Sequence, residues 1–333
     1  MKEINSLDSH PMPPDTPSWK NGLLRLGRWV IFLAVASGIA HRIWIEKEKI
    51  TGYPFSLHYG WILASTACYL AGMIGCAFFW WLALRDFGGS PTLLSTTYAY
   101  FVGHLGKYVP GKGLVIVIRA GLLQGAGVGV SDAAFASVVE TIFLMFAGTL
   151  VCVPVFVSAP FPHQYFLLCS SLTFSLGFGS VIVPPVASKV RKWIVRLFPA
   201  IKNGGSCRWQ TLGKGLPIML ITWVICGLSL LLVFKAMNDF DVLYARMGFF
   251  RLWAVVTASV AFATVAGFVS MIPGGLGTRE WVLIETLGPI AGTTQVMLAA
   301  GIIRLQWIMA ELLAAGVLWC FTRQWIRPRK HPN

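Results

Sequence analysis

Runs of about 20 residues without a single charge, such as the stretch from Tyr59 to Leu84, constrain this chain more than any other feature. A run of that length matches roughly 30 Å of hydrocarbon, and several of them in one chain leave too little polar surface to coat a water-soluble globule. Composition agrees: across 333 residues, 56% are hydrophobic, only 12% are charged and mean hydropathy is +0.69. Soluble enzymes, DNA-binding domains and disulfide-stapled secreted modules are therefore excluded. The net charge of +14 does not point to nucleic acid, because the basic residues fall in loops between apolar runs, where they set topology and meet anionic headgroups.

The pattern predicts an all-α polytopic membrane protein with a single transmembrane domain over 23–322. A polar tail, 1–22, precedes it and a basic tail, 323–333, follows. Six segments read as full crossings, at about 23–41, 59–84, 134–157, 164–187, 216–237 and 298–321. Two further apolar stretches, 90–130 and 249–297, are interrupted by Pro-Gly and read as helical hairpins that return the chain to the side it came from. In this scheme sixteen Lys and Arg residues fall on one side, whereas only Arg42, Lys47, Lys49 and Arg246 fall on the other. That asymmetry places both termini in the cytoplasm, with the central loop 188–215, seven cations and no acid, on the same side. The polar, Pro-containing N-terminal tail does not resemble a cleavable signal peptide. Six of the seven cysteines (all but Cys207) lie in apolar runs and read as small buried hydrophobes, without metal or redox spacing.

The two hairpins echo one another. Phe101-Val102 leads through Lys107-Tyr108-Val109-Pro110-Gly111-Lys112-Gly113 to Arg119, and Phe268-Val269 leads through Pro273-Gly274-Gly275-Leu276-Gly277 to Arg279. Each is followed by a Gly-rich break, a polar cluster suited to a helix N-terminus (Ser131-Asp132, Thr293-Thr294), and a long apolar helix holding Glu140 or Arg304. By the charge count the hairpins enter from opposite sides, so the units are expected to be inverted copies, with the broken segments near the midplane as the site.

Gly106 to Gly113 approaches a nucleotide-binding loop but has Gly113 where the Mg²⁺-binding hydroxyl belongs, and Pro110 removes an amide donor. The same residues suit a broken membrane helix, whose hairpin breaks at Pro110, Gly111, Pro273, Gly274, Gly275 and Gly277 free backbone groups to face protein, water or ligand. Lys107, Lys112, Arg119, Arg279 and Glu280 form the candidate substrate-binding set: the cations suit a phosphate, and Glu280 is placed to orient Arg279 or to pair with another helix. The competing structural reading has these charges anchoring the hairpins at the interface or locking them through ion pairs. Glu140, Arg304 and Glu311 stand alone in long apolar helices, with Arg304 and Glu311 on one helical face, and are expected to pair with one another, Glu140 with Arg304 across the two halves. No ligand spacing points to a metal, no cofactor motif is present, and no hydroxyl or thiol nucleophile has a placed base, so an enzyme is not expected.

Taken together, Gly106-Lys107-Tyr108-Val109-Pro110-Gly111 with Arg119, Val138-Val139-Glu140, and Pro273-Gly274-Gly275-Leu276-Gly277-Thr278-Arg279-Glu280 with Arg304 resemble the flippase-like membrane family related to the transmembrane region of lysylphosphatidylglycerol synthase. The resemblance covers roughly 23–322 and departs from the commonest pattern at Thr141, where an arginine usually follows the glutamate. It implies a multi-pass protein of the bacterial cytoplasmic membrane that moves or presents aminoacylated or other polar lipids between leaflets. Members that make the aminoacyl lipid carry a further cytosolic transferase domain, which is not expected here, since the sequence stops at Asn333. The expected partners are membrane lipids, anionic or aminoacylated, and the sequence says nothing of oligomeric state. The expected function is a translocator of a phospholipid or lipid-linked substrate. The alternative is a non-transporting subunit that binds lipid and recruits a cytosolic lipid-modifying enzyme through 188–215 or the basic tail.

Overall fold

The computed structural model describes residues 56–108, 114–124, 127–158, 161, 163–197 and 207–322. Its helices, in chain order, are α1 (Tyr59–Asp86), α2 (Leu93–His104), α3 (Leu114–Leu123), α4 (Val130–Ser158), α5 (Gln164–Ile182), α6 (Pro184–Leu197), α7 (Trp209–Ala236), α8 (Phe240–Met247), α9 (Phe249–Val269), α10 (Thr278–Ala291) and α11 (Thr293–Thr322). Among the described residues, α1, α4, α5, α7, α9 and α11 are long and apolar enough to cross a membrane. A chain this apolar satisfies its backbone within helices because lipid offers no hydrogen-bond partners. Large side chains left outside the bundle, including Leu63 (70% exposed), Leu176 (76%) and Leu305 (68%), then face acyl chains rather than water.

The expected crossing at 23–41 lies outside the described residues, while those near 59–84, 134–157, 216–237 and 298–321 appear as α1, α4, α7 and α11. The segment expected at 164–187 is shorter: α5 ends at Ile182, and Pro184-Pro185 start α6 instead. The basic stretch 188–215 is therefore helical at both of its ends, in α6 and at the start of α7. The second hairpin is lopsided. No proline interrupts the run before Ser270, so α9 runs 21 residues, about 32 Å at 1.5 Å per residue, before the Pro-Gly-Gly turn reverses the chain.

Helices α1 and α7 form an antiparallel pair along their whole length. His58 N at the start of α1 donates to Ala236 O at the end of α7 (3.0 Å), the Ser65 hydroxyl donates to Ser229 O (2.7 Å), and Arg208 N donates to Asp86 Oδ2 (2.8 Å) at the opposite end. Around this pair the packing is repeated: α1, α2, α3 and α4 contact each other as α7, α9, α10 and α11 do. The contact of α4 with α9 has its counterpart in that of α2 with α11. Two four-helix units related in this way, with antiparallel first helices, are inverted repeats.

Close approach is achieved with glycine where α7 meets α9. A Cβ at Gly227 would sit 2.6 Å from Thr257 Cα, a backbone atom that cannot swing aside. Gly227→Ala is therefore expected to cost about 1–3 kcal/mol and to lower the thermal unfolding midpoint in detergent. An unchanged midpoint would show that these helices can separate at no cost.

The cysteines divide by environment. Cys76, Cys152 and Cys226 are buried in the core, but Cys169 and Cys320 face outward, so they are not buried hydrophobes as their apolar setting suggests. A helix that crosses lipid can be apolar on every face, and the run alone does not tell inside from outside. Cys207, in a polar stretch, is buried, and that burial, with the Asp86 carboxylate second, pushes its thiol up to about 12, leaving it unreactive near neutral pH.

Candidate functional site

Each hairpin folds around a glycine that admits an arginine from the returning arm. Thr92 starts α2 by accepting from Ser95 N (3.1 Å), and α2 ends in a tight turn, Leu105–Tyr108, before α3 returns. On α2, a Cβ at Gly103 would fall 2.3 Å from Arg119 Cγ of α3. On α9, a Cβ at Gly267 would fall 2.8 Å from Arg279 Cγ of α10. The sequence echo thus has a structural counterpart, in which Arg119 and Arg279 occupy equivalent places.

Their surroundings differ. Arg119 Nη1 donates to Glu140 Oε2 of α4 at 2.9 Å, and both side chains are only 2% exposed. The Tyr100 hydroxyl donates to the other carboxylate oxygen at 3.0 Å, and the guanidinium stacks on the Tyr100 ring at 3.8 Å. This closed cluster corrects two expectations. Glu140 does not pair with Arg304 across the halves, and Arg119 is bound to Glu140 rather than available to a phosphate. The reason is local: α3 packs on α4, so the first opposite charge Arg119 meets is in its own repeat.

In the second repeat the charges are exchanged between hairpin and long helix. Arg304 of α11 donates to the Glu280 carboxylate of α10 and, at 3.0 Å, to Gly274 O in the turn. Glu280 also accepts from Gly277 N at 2.6 Å, which fixes it at the start of α10. Gly274 (φ 60°), Gly275 (φ 65°) and Gly277 (φ 82°) all adopt left-handed backbone that other residues rarely take, so the glycine spacing is what brings this turn back onto Arg304. Of the two arrangements expected for Glu280, orienting Arg279 or pairing with another helix, the second holds: its partner is Arg304 of α11.

The turn of the first hairpin is tied to α11 through Glu311, a carboxylate with no exposed surface. Lys107 Nζ (2.6 Å) and the Tyr108 hydroxyl (3.0 Å) donate to it from that turn, and the Tyr69 hydroxyl donates from α1. His104 Nε2 lies 3.7 Å away. Arg304 and Glu311 share a helical face, as their spacing predicts, but they do not pair with each other, since each reaches a different hairpin.

Where the two hairpin turns meet, a small, partly open cavity of about 40 Å³ lies between them. Its polar lining comes from both halves: Lys107 and Tyr108 from one, and Arg279, Glu280 and Arg304 from the other, with an apolar wall including Leu230, Val260, Leu283, Ile303 and Trp307. Lys107 and Arg304 have carboxylate partners. Arg279 forms no hydrogen bond or salt bridge among the described residues, and its buried Nε has no partner. Among the described residues the lining thus holds three cations against the one carboxylate of Glu280, and a guanidinium in this position is able to hold a phosphate or carboxylate through two parallel hydrogen bonds.

Of the residues expected to bind substrate, Lys107, Arg279 and Glu280 come together here, Arg119 is set apart, and Lys112 lies outside the described residues, as do Pro110 and Gly111. Sequence reasoning missed Tyr69, Tyr100, Tyr108 and the glycine seats Gly103 and Gly267. Only the glycines carried a signal, each adjoining one of the repeated Phe-Val pairs.

The family described as the lysylphosphatidylglycerol synthase TM region matches residues 31–314, and the chain belongs to it. No curated protein matches the chain. Membership and the apolar helices together make this a multi-pass integral membrane protein tied to lipid handling.

Proposed function

We propose that this member of the lysylphosphatidylglycerol synthase TM family is a translocator that carries a phospholipid or lipid-linked polar molecule between leaflets without altering it. The anionic part of the headgroup sits in the cavity between the hairpins against Arg279. The observation that carries this reading is Arg279, without a hydrogen bond or salt bridge among the described residues, in a cavity lined from both inverted repeats. Arg279 supplies a bidentate anion site, Lys107 a second positive charge from the opposite half, and the Glu280–Arg304 pair holds the second turn in shape. Acyl chains remain in the bilayer beside the apolar wall. Because Lys107 and Arg279 belong to different repeats, rocking one repeat against the other changes the distance between them and opens the cavity to one side at a time. The basic bias of the loops orients the chain with both termini in the cytoplasm, and the family resemblance points to the inner membrane of a bacterium.

Native mass spectrometry of the protein in mild detergent tests the substrate class. A retained lipid with an anionic or aminoacylated headgroup is the expected result, and retention of neutral lipids alone, or of none, would contradict it. Glu311→Gln should free Lys107 from its carboxylate and tighten anionic lipid retention by about tenfold. Unchanged retention in that variant would remove Lys107 from the site.

A further inference from the structure

The basic helix α6 plays no part in the cavity and has its own architecture. It starts two residues after α5 ends, at Pro184, and contains Lys189, Arg191, Lys192 and Arg196 without an acidic residue. At about 100° per residue, Val186, Val190, Trp193, Ile194 and Leu197 fall on one continuous arc and Lys189, Lys192 and Arg196 on an adjoining one. Arg191 projects from a third side, into the bundle: its Nη2 donates to Asp132 Oδ1 at 2.6 Å, and its guanidinium lies between the rings of Phe87 (5.2 Å) and Phe135 (4.6 Å). Arg191 thereby fixes the rotation of α6 against the start of α4 and the end of α1. Lys189 and Lys192 remain exposed, as does Val186 on the apolar arc. Arg208 bonds to Asp86 at this same end of the bundle, so more basic charge adjoins the helix there.

We infer that α6 is an in-plane interfacial helix whose cationic arc binds the anionic headgroups of the bilayer surface, with Arg191–Asp132 as the clasp that presents that arc. Three features favour a lipid surface over an acidic protein. The helix follows directly on a membrane-crossing helix, its apolar arc adjoins its cationic arc, and that arc carries a tryptophan, which suits the boundary between headgroups and acyl chains. Lys189 and Lys192 are exposed where their charge attracts phosphates, Arg196 falls in register with them along the helix, and Arg191 is already committed to the protein. The site is separate from the cavity and gathers anionic lipid where α1 and α5 end and α4 begins.

The test uses the full-length protein in nanodiscs of phosphatidylcholine alone or mixed with phosphatidylglycerol, following hydrogen exchange of the segment 184–197. Exchange is expected to slow by about tenfold in the anionic discs. High salt, or the combined substitution Lys189→Gln, Lys192→Gln and Arg196→Gln, should abolish the difference while α5 and α7 keep their protection. Equal exchange in the two kinds of disc would overturn the inference. So would protection that polyglutamate confers in neutral discs but phosphatidylglycerol does not, which would mark the helix as a dock for an acidic protein. Neither readout depends on lipid translocation, so the inference can fail while the proposed function stands, and the reverse.

Discussion

Arg279→Ala is expected to strip the bound anionic lipid from the protein, weakening retention by about 100-fold, while leaving the fold intact. The magnitude follows from the loss of a charge-assisted, two-pronged contact in a site with little water. The intact fold follows from Arg279 having no hydrogen bond or salt bridge among the described residues, so its removal orphans no carboxylate. Arg279→Lys should fall between, because an ammonium keeps the charge and loses the fork. Lipid counts per protein from native mass spectrometry, beside a thermal unfolding midpoint, check both halves of the statement. A variant that keeps its lipid would move the headgroup away from Arg279, and one that loses both lipid and stability would show the side chain to be structural.

The largest effect on stability is expected at the other arginine. Arg119→Ala leaves Glu140 buried with Tyr100 as its principal remaining donor and should destabilise the protein by about 3–5 kcal/mol, seen as a large fall in the unfolding midpoint in detergent. Replacing both members, Arg119→Met with Glu140→Leu, removes the uncompensated charge and should recover most of the loss. The double variant should also retain anionic lipid, because the pair lies outside the cavity lining. Lipid loss in a stable double variant would instead return Arg119 to the binding site.

These contrasting expectations for two equivalent arginines show what the sequence could and could not reveal. The crossings at α1, α4, α7 and α11 were legible because a lipid-spanning helix must be long and uncharged, and the second hairpin turn because Pro273 stands with three closely spaced glycines. By contrast α9, long enough to cross by itself, read as one arm of a hairpin, and single prolines at 154 and 217 pass inside helices. The glycines at 274, 275 and 277 reported their left-handed backbone directly. Pairing was not legible. A lone glutamate at 140 announces that it needs a partner but not which one, and the answer, Arg119, depends on α3 folding back onto α4. The tyrosines around Glu311 and Glu140 look like ordinary membrane aromatics until the hairpins bring their hydroxyls to the carboxylates. The amphipathic α6 was hidden inside a stretch read only for its charge, although Pro184-Pro185 marked where the crossing had to stop.

Movement of a headgroup-labelled anionic phospholipid between the leaflets of proteoliposomes tests the central claim most directly, with the unmutated chain compared against folded Arg279→Ala. Exchange that depends on the unmutated protein and falls to the rate of protein-free vesicles in the variant is the predicted result. Equal exchange by the two proteins, or none by either in vesicles where the unmutated chain retains its lipid, would contradict translocation through the cavity between the hairpins.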